Sequence, residues 1–179
     1  RNSGLPMSGT DVPMQHVFID PANSQRMFAI DLSGALYRSV TGGASWSRVG
    51  GGLPGSETVI TVAFDPHDPD RIILGAGEGL YRSMDGGVSW NIMSTPVNTR
   101  YVTAIMMDPT VPGVFSLVAT GSVVPVLRTV DGGATWETLE YMGIAQALPD
   151  AYKNTYDFLV NNEGYGVPAS RRLPYADFG

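Results

Sequence analysis

Three arginines, Arg38, Arg82 and Arg128, stand at the same place in three recurring phrases, YRSVTGGASW, YRSMDGGVSW and LRTVDGGATW. Guanidinium groups gathered in a ring could hold an anion, whereas the same groups placed one per repeat would tie neighbouring units together by salt bridges. The repetition favours the second role, and the three are kept as possible binding residues. Glu78, in GAGEGL, sits among glycines that leave it accessible, and with a second carboxylate across a cleft it could take part in glycosidic-bond hydrolysis. Asp20, Asp65 and Asp108 supply acids by count, but each precedes a proline in a repeated turn, which marks them as turn formers. Function breaks the symmetry of a repeat, so the unrepeated acids Asp11, Asp31, Glu57 and Glu78 are the better candidates for chemistry.

Metal and cofactor chemistry find less support. The turn DPHDPD collects Asp65, His67, Asp68 and Asp70 but lacks the glycine and glutamate of an EF-hand loop, and His16 is the only other histidine. No metal site is expected. The runs GGG and GAGEG do not open a helix after a parallel strand, so no phosphate loop and no cofactor are expected either. The 179 residues contain no cysteine, which excludes disulfides, thiolate zinc sites and thiol nucleophiles.

These residues need a scaffold, and composition points to strands. Charged residues make up 16 % of the chain, below the usual share of about 25 %, while 22 glycines and 13 prolines supply many reversals. A net charge of −6 argues against a nucleic-acid surface. No apolar run approaches the roughly 18 residues of a membrane span. Arg1 is not an initiator methionine, so the chain is expected to begin after processing or truncation.

A ruler laid along the chain finds a repeat. Trp46, Trp90 and Trp136 are 44 and 46 residues apart, and Asp20-Pro21, Asp65-Pro66 and Asp108-Pro109 are 45 and 43 apart. Each unit reads as four short strands. In the second these are TVITVAF, RIILGAG, LYRSM and VSWNIM, separated by an Asp-Pro turn, a glycine turn and a DGG turn. The fold class is therefore all-β, a β-propeller segment of about three four-stranded antiparallel blades spanning 14–53, 54–98 and 99–142. Residues 1–13 form an N-terminal arm. Beyond Trp136 the period fails, and residues 143–179 read as a helix begun near Pro149 and ended near Gly164, followed by an extended arm.

The decapeptides resemble the Asp-box, or BNR, repeat, Ser/Thr-x-Asp-x-Gly-x-Thr/Ser-Trp. It occurs in propellers such as sialidases, sortilin-type receptors, xyloglucan-cleaving glycosidases and the photosystem II assembly propeller. The match runs through Ser83, Asp85, Gly87, Ser89 and Trp90, and through Thr129, Asp131, Gly133, Thr135 and Trp136. The first copy keeps Ser39, Gly43, Ser45 and Trp46 but has Thr41 in place of the aspartate, so a looser turn is expected there. The resemblance implies that these residues are structural pins at the blade periphery, with no catalytic residue among them, and that the tryptophans are core plates. The arginine-isoleucine-proline signature of sialidases is absent, the nearest string being DRIIL.

Three blades do not close a ring, so the chain is expected never to be a free monomer under native conditions. Two functions remain open. One is a non-catalytic interaction or scaffold module that binds another protein, or copies of itself completing the propeller, through the propeller face or the C-terminal arm. The other is part of a secreted glycoside hydrolase or carbohydrate-binding propeller, xyloglucanase-like rather than sialidase-like. Either is expected in an extracellular, periplasmic or organelle-lumen setting.

Overall fold

A computed structural model describes residues 3–6, 13–53, 58–96, 99–120 and 126–139. The expected helix and arm over 143–179 lie outside these residues, as do Asp11 and Glu57. The described chain is all β. Its twelve strands form three antiparallel sheets in sequence order. The first contains β1 (Met14–Ile19), β2 (Met27–Asp31), β3 (Leu36–Ser39) and β4 (Ser47–Arg48). The second contains β5 (Val59–Phe64), β6 (Ile72–Ala76), β7 (Leu80–Ser83) and β8 (Asn91–Ile92). The third contains β9 (Val102–Met107), β10 (Phe115–Ala119), β11 (Val126–Thr129) and β12 (Glu137–Thr138). The fourth strands are shorter than SWSRV, VSWNIM and TWETL suggest, because the glycine turn before each keeps the chain out of the ladder through the tryptophan.

Alternation along each strand decides which neighbour it meets. In β6, Ile72, Leu74 and Ala76 face a core shared with the first sheet, where they join Phe28, Ile30, Leu36 and Trp90. Ile73, on the opposite face, joins Val102, Phe115 and Leu117 of the third sheet. All five residues of β6 are thus buried, as expected of a strand with a sheet on either side. Each fully buried isoleucine or leucine is worth about 1.5–3 kcal/mol relative to exposure. A register shift between Val59 and Thr61 turns β5, so that Val59 and Val62 both reach the first core.

The sheets are also stitched at their backbones. Within each sheet an early carbonyl accepts from the second turn: Leu32 N donates to Pro13 O, Gly77 N to Thr58 O and Thr120 N to Tyr101 O. Between sheets, Val59 N donates to Gly34 O and Tyr101 N to Gly77 O, at 3.0 and 3.1 Å. Ser3 also bridges Ser45 in parallel, as Gly51 bridges Ser89, so the chain ahead of the first sheet pairs with it as the 51–52 linker pairs with the second.

Candidate functional site

The turns before the tryptophans consume their own polar groups. Asp85 Oδ1 accepts from Ser83 Oγ, Val88 N and Ser89 N, and its Oδ2 accepts from Ser89 Oγ. Ser83 Oγ in turn accepts from Gly87 N at 2.8 Å. Asp131 repeats the pattern with Thr129, Ala134 and Thr135. These bonds favour the ionised form. The Thr135 hydroxyl and amide, with Thr129, bring Asp131 down to about 2. The Ser89 hydroxyl and amide hold Asp85 well below the usual carboxylate range. In the first turn Thr41 Oγ1 takes over the acceptor role for Ser45 N at 2.9 Å, and Ser39 Oγ still accepts from Gly43 N. That turn is closed rather than loosened, with neutral bonds in place of charge-assisted ones.

The tryptophans do not converge on one cavity. Trp90 is 2 % exposed and meets Phe28 edge-on at 6.2 Å, within the core of the first and second sheets. Trp136 packs on the other core, edge-on to Phe115 at 5.4 Å, and donates from Nε1 to Ser94 O. Trp46 is half-buried and donates to Gly43 O.

The arginine series acts between sheets, through backbone rather than carboxylates. Arg38 Nε donates to Gly86 O at 2.9 Å, and Arg82 Nη1 to Gly132 O at 3.5 Å, each in the turn of the following sheet. Arg128 instead pairs with Glu137 of its own sheet at 2.8 Å. A second arginine, missed in the sequence, backs the first. Arg26 pairs with Asp20 and Arg71 with Asp65, both at 2.5 Å. Their guanidinium groups also close over the same following turns, Arg26 at Gly86 and Arg71 at Gly132. An arginine six residues after the Asp-Pro aspartate, in two copies of three, was the available signal; Val114 stands there in the third.

The candidate acids are mostly occupied. Asp20, Asp65 and Asp108 each accept from the backbone N–H two residues on, at 2.8 Å. Burial pushes the Asp31 carboxyl up, but bonds from Ser33, Ala35 and Tyr37 outweigh it and the group ends below its ordinary value. His67 Nε2 lies 3.2 Å from Asp108 O, and His16 rests against Phe18. Among the described residues, no group of three His, Asp or Glu side chains could hold a metal ion. No described helix is long and apolar enough to cross a membrane.

Glu78 is different. It is 61 % exposed and lies 3.7 Å from Arg100, itself half exposed, across the gap between the second and third sheets. Beside them stands Tyr101, 54 % exposed and the one described non-glycine residue with positive φ, at 50°. Its N–H is bonded to Gly77 and its carbonyl to Thr120, so the backbone holding the ring is fixed on both sides. Pro13 and Thr58 occupy the same slot in the other sheets. Tyr101 was overlooked in the sequence, although an aromatic residue that breaks the repeat is a readable signal.

No family model matches the chain, and no curated protein matches it. Among solved structures it is similar to an ancestral GH74 enzyme, at 21 % identity and a TM-score of 0.62 over 77 % of this chain and 18 % of that one. It is similar to the GH74 xyloglucanase of Xanthomonas campestris at 24 % identity, with a TM-score of 0.55 over 78 % of this chain and 20 % of that one. It is also similar to YCF48 bound to D1 peptide, at 17 % identity and a TM-score of 0.51 over 80 % of this chain and 48 % of that one. The chain thus spans between about a fifth and a half of the length of these proteins. At these identities the likeness is one of fold: the three sheets are blades of a β-propeller segment.

Proposed function

We propose that this chain is a non-catalytic propeller module of the Asp-box kind that binds another protein through the loop face around Tyr101. The observation that carries this is the tyrosine itself, exposed on a backbone fixed at both ends and flanked by the loose Arg100–Glu78 pair. Tyrosine and arginine dominate binding hot spots, because they bring large contact area at small entropic cost. The aspartates singled out for chemistry that are described serve their own turns, which leaves Glu78 without a facing carboxylate partner among them. The fold likeness to YCF48 bound to D1 peptide supports a peptide as the class of partner. Copies of the chain are a further proposed partner, and an extracellular, periplasmic or lumenal setting goes with this role.

A second reading draws on the GH74 likeness and on the same surface. An exposed tyrosine beside an exposed glutamate also suits a sugar ring, so a carbohydrate-binding or hydrolytic propeller fragment is the alternative. Titration with D1 peptide and incubation with xyloglucan separate the two. Peptide binding weakened about tenfold or more by Tyr101→Ala, with no reducing ends released, is expected. Release of reducing ends from xyloglucan, abolished by Glu78→Gln, would overturn the first reading in favour of the second.

A further inference from the structure

At the end of the sheets opposite Tyr101, the Asp-Pro turn and the glycine turn of each blade are joined the same way three times. Gly42, Gly86 and Gly132 donate from N to the carbonyls of Gln25, Asp70 and Gly113. The residue at this acceptor position therefore stands over the turn glycine, and its side chain differs from blade to blade. In the first blade the Gln25 amide lies 3.2 Å from the place a Gly42 Cβ would take. In the second, Asp70 Oδ1 lies 3.7 Å from the same place at Gly86, with Arg26 and Arg38 around it. In the third, Gly113 brings no side chain. Among the described residues only Arg71 Nη1, at 3.6 Å, comes within 4 Å of that place at Gly132.

The two arginine pairs between blades are thus unequally supplied with acceptors. At the first junction Arg38 Nε donates to Gly86 O at 2.9 Å, Arg26 holds Asp20 through Nε and Nη2, and Asp70 adds a further carboxylate. At the second, Arg71 Nε is taken by Asp65, but Arg82 reaches Gly132 O only at 3.5 Å and makes no other hydrogen bond among the described residues. The acid of that turn, Asp131, spends both oxygens on Thr129, Ala134 and Thr135. Arg71 and Arg82 both keep part of their surface open to solvent. We infer that Arg71 and Arg82 bind a carboxylate from outside the chain, seated where Asp70 stands at the first junction. A planar carboxylate matches the guanidinium fork, and two such groups at one glycine favour it over a spherical anion such as chloride. Its source is a free carboxylic acid or an acidic side chain of a partner. The site lies away from the Tyr101 face and does not depend on what binds there.

The arginine Nε–Hε signals of the full chain, followed by NMR as sodium acetate replaces sodium chloride at constant ionic strength, test this. The Arg82 signal is expected to shift and saturate, while that of Arg38, already bonded to Gly86, stays in place. Arg71 Nε reports the same titration in Arg82→Gln, where the acetate dissociation constant is expected to rise about tenfold. Asp70 is exposed, so Asp70→Ala removes the resident carboxylate without disturbing the core, and Arg38 is then expected to respond to acetate as well. End-blocked Gly-Glu-Gly and Gly-Gln-Gly peptides separate the sources. Tighter binding of the glutamate peptide than of acetate assigns the site to an acidic side chain of a partner, and binding no tighter assigns it to a free carboxylic acid. No saturating shift at Arg82, equal shifts with the glutamine peptide, an affinity unchanged in Arg82→Gln, or an Arg38 signal that stays silent in Asp70→Ala would overturn the inference.

Discussion

The glycine turns of the second and first blades share a backbone, with positive φ at Gly87 and Gly43 of 86° and 85°. Their surroundings differ. Phe28 of the preceding blade presses on Gly87 and Arg38 caps Gly86, whereas among the described residues Gly43 meets only Met27 and Trp46 of its own blade. Trp90 is accordingly buried and Trp46 only half so. The third turn is intermediate. Its preceding blade has Ile73 where the first has Phe28, Met93 covers Gly133 instead, and Trp136 stays half-exposed. The recurring phrase is therefore a seat, and how deeply it is buried depends on the blade that sits on it.

Removing the occupant should have the largest effect. Phe28 is fully buried between Phe64 and Trp90, and Phe28→Ala is expected to cost about 3–5 kcal/mol by denaturant titration. Ile73→Val, at the equivalent place before the third turn, should cost only about 0.5–1.5 kcal/mol. Similar losses at both positions would mean that the two interfaces do not differ as the packing indicates.

The acceptor inside the turn comes next. Asp85→Ala removes the acceptor of the exposed Ser89 and Val88 amides, which water can then reach, and should cost about 0.5–1.5 kcal/mol. Thr41→Asp restores a charged acceptor where the neutral one already bonds Ser45, so a gain of no more than about 1 kcal/mol is expected. A loss on Thr41→Asp would show that the first turn is adapted to threonine.

The smallest expected effect is in acid. Asp85 and Asp131 have folded values below that of the unfolded chain, near 3.9. Their contribution is present above that value and is lost as pH falls through the folded value, about 2 for Asp131. Both sites are exposed, which keeps the effect modest. The melting temperature should fall less between pH 4 and 2 in Asp131→Asn than in the unaltered chain, while Thr41→Val should leave the slope unchanged.

The three sheets were legible in the sequence because tryptophan and Asp-Pro recur at one period, and each marks a turn that every blade must make. The role of Arg38 and Arg82 was only half legible. Their spacing pointed between blades, but their acceptors are glycine carbonyls, which carry no side-chain signature, so a carboxylate was expected in their place. The pairing of Ser3 with Ser45 went unnoticed, although GLP occurs at Gly4 and again at Gly52, because that spacing of 48 does not match the tryptophan period. Tyr101 could be seen as an aromatic residue out of register with the repeat. Its fixed backbone could not, since that depends on carbonyl and amide partners in two other loops.

Alanine at Gly87 and at Gly43 tests the seat most directly. The added Cβ would overlap Phe28 Cζ in the second blade but lie 3.6 Å from Met27 Sδ in the first. Both substitutions carry the left-handed backbone penalty of about 1–2 kcal/mol. A turn seated under its neighbour predicts that Gly87→Ala loses about 1–3 kcal/mol more than Gly43→Ala in paired denaturant titrations. Equal losses at the two positions would contradict it.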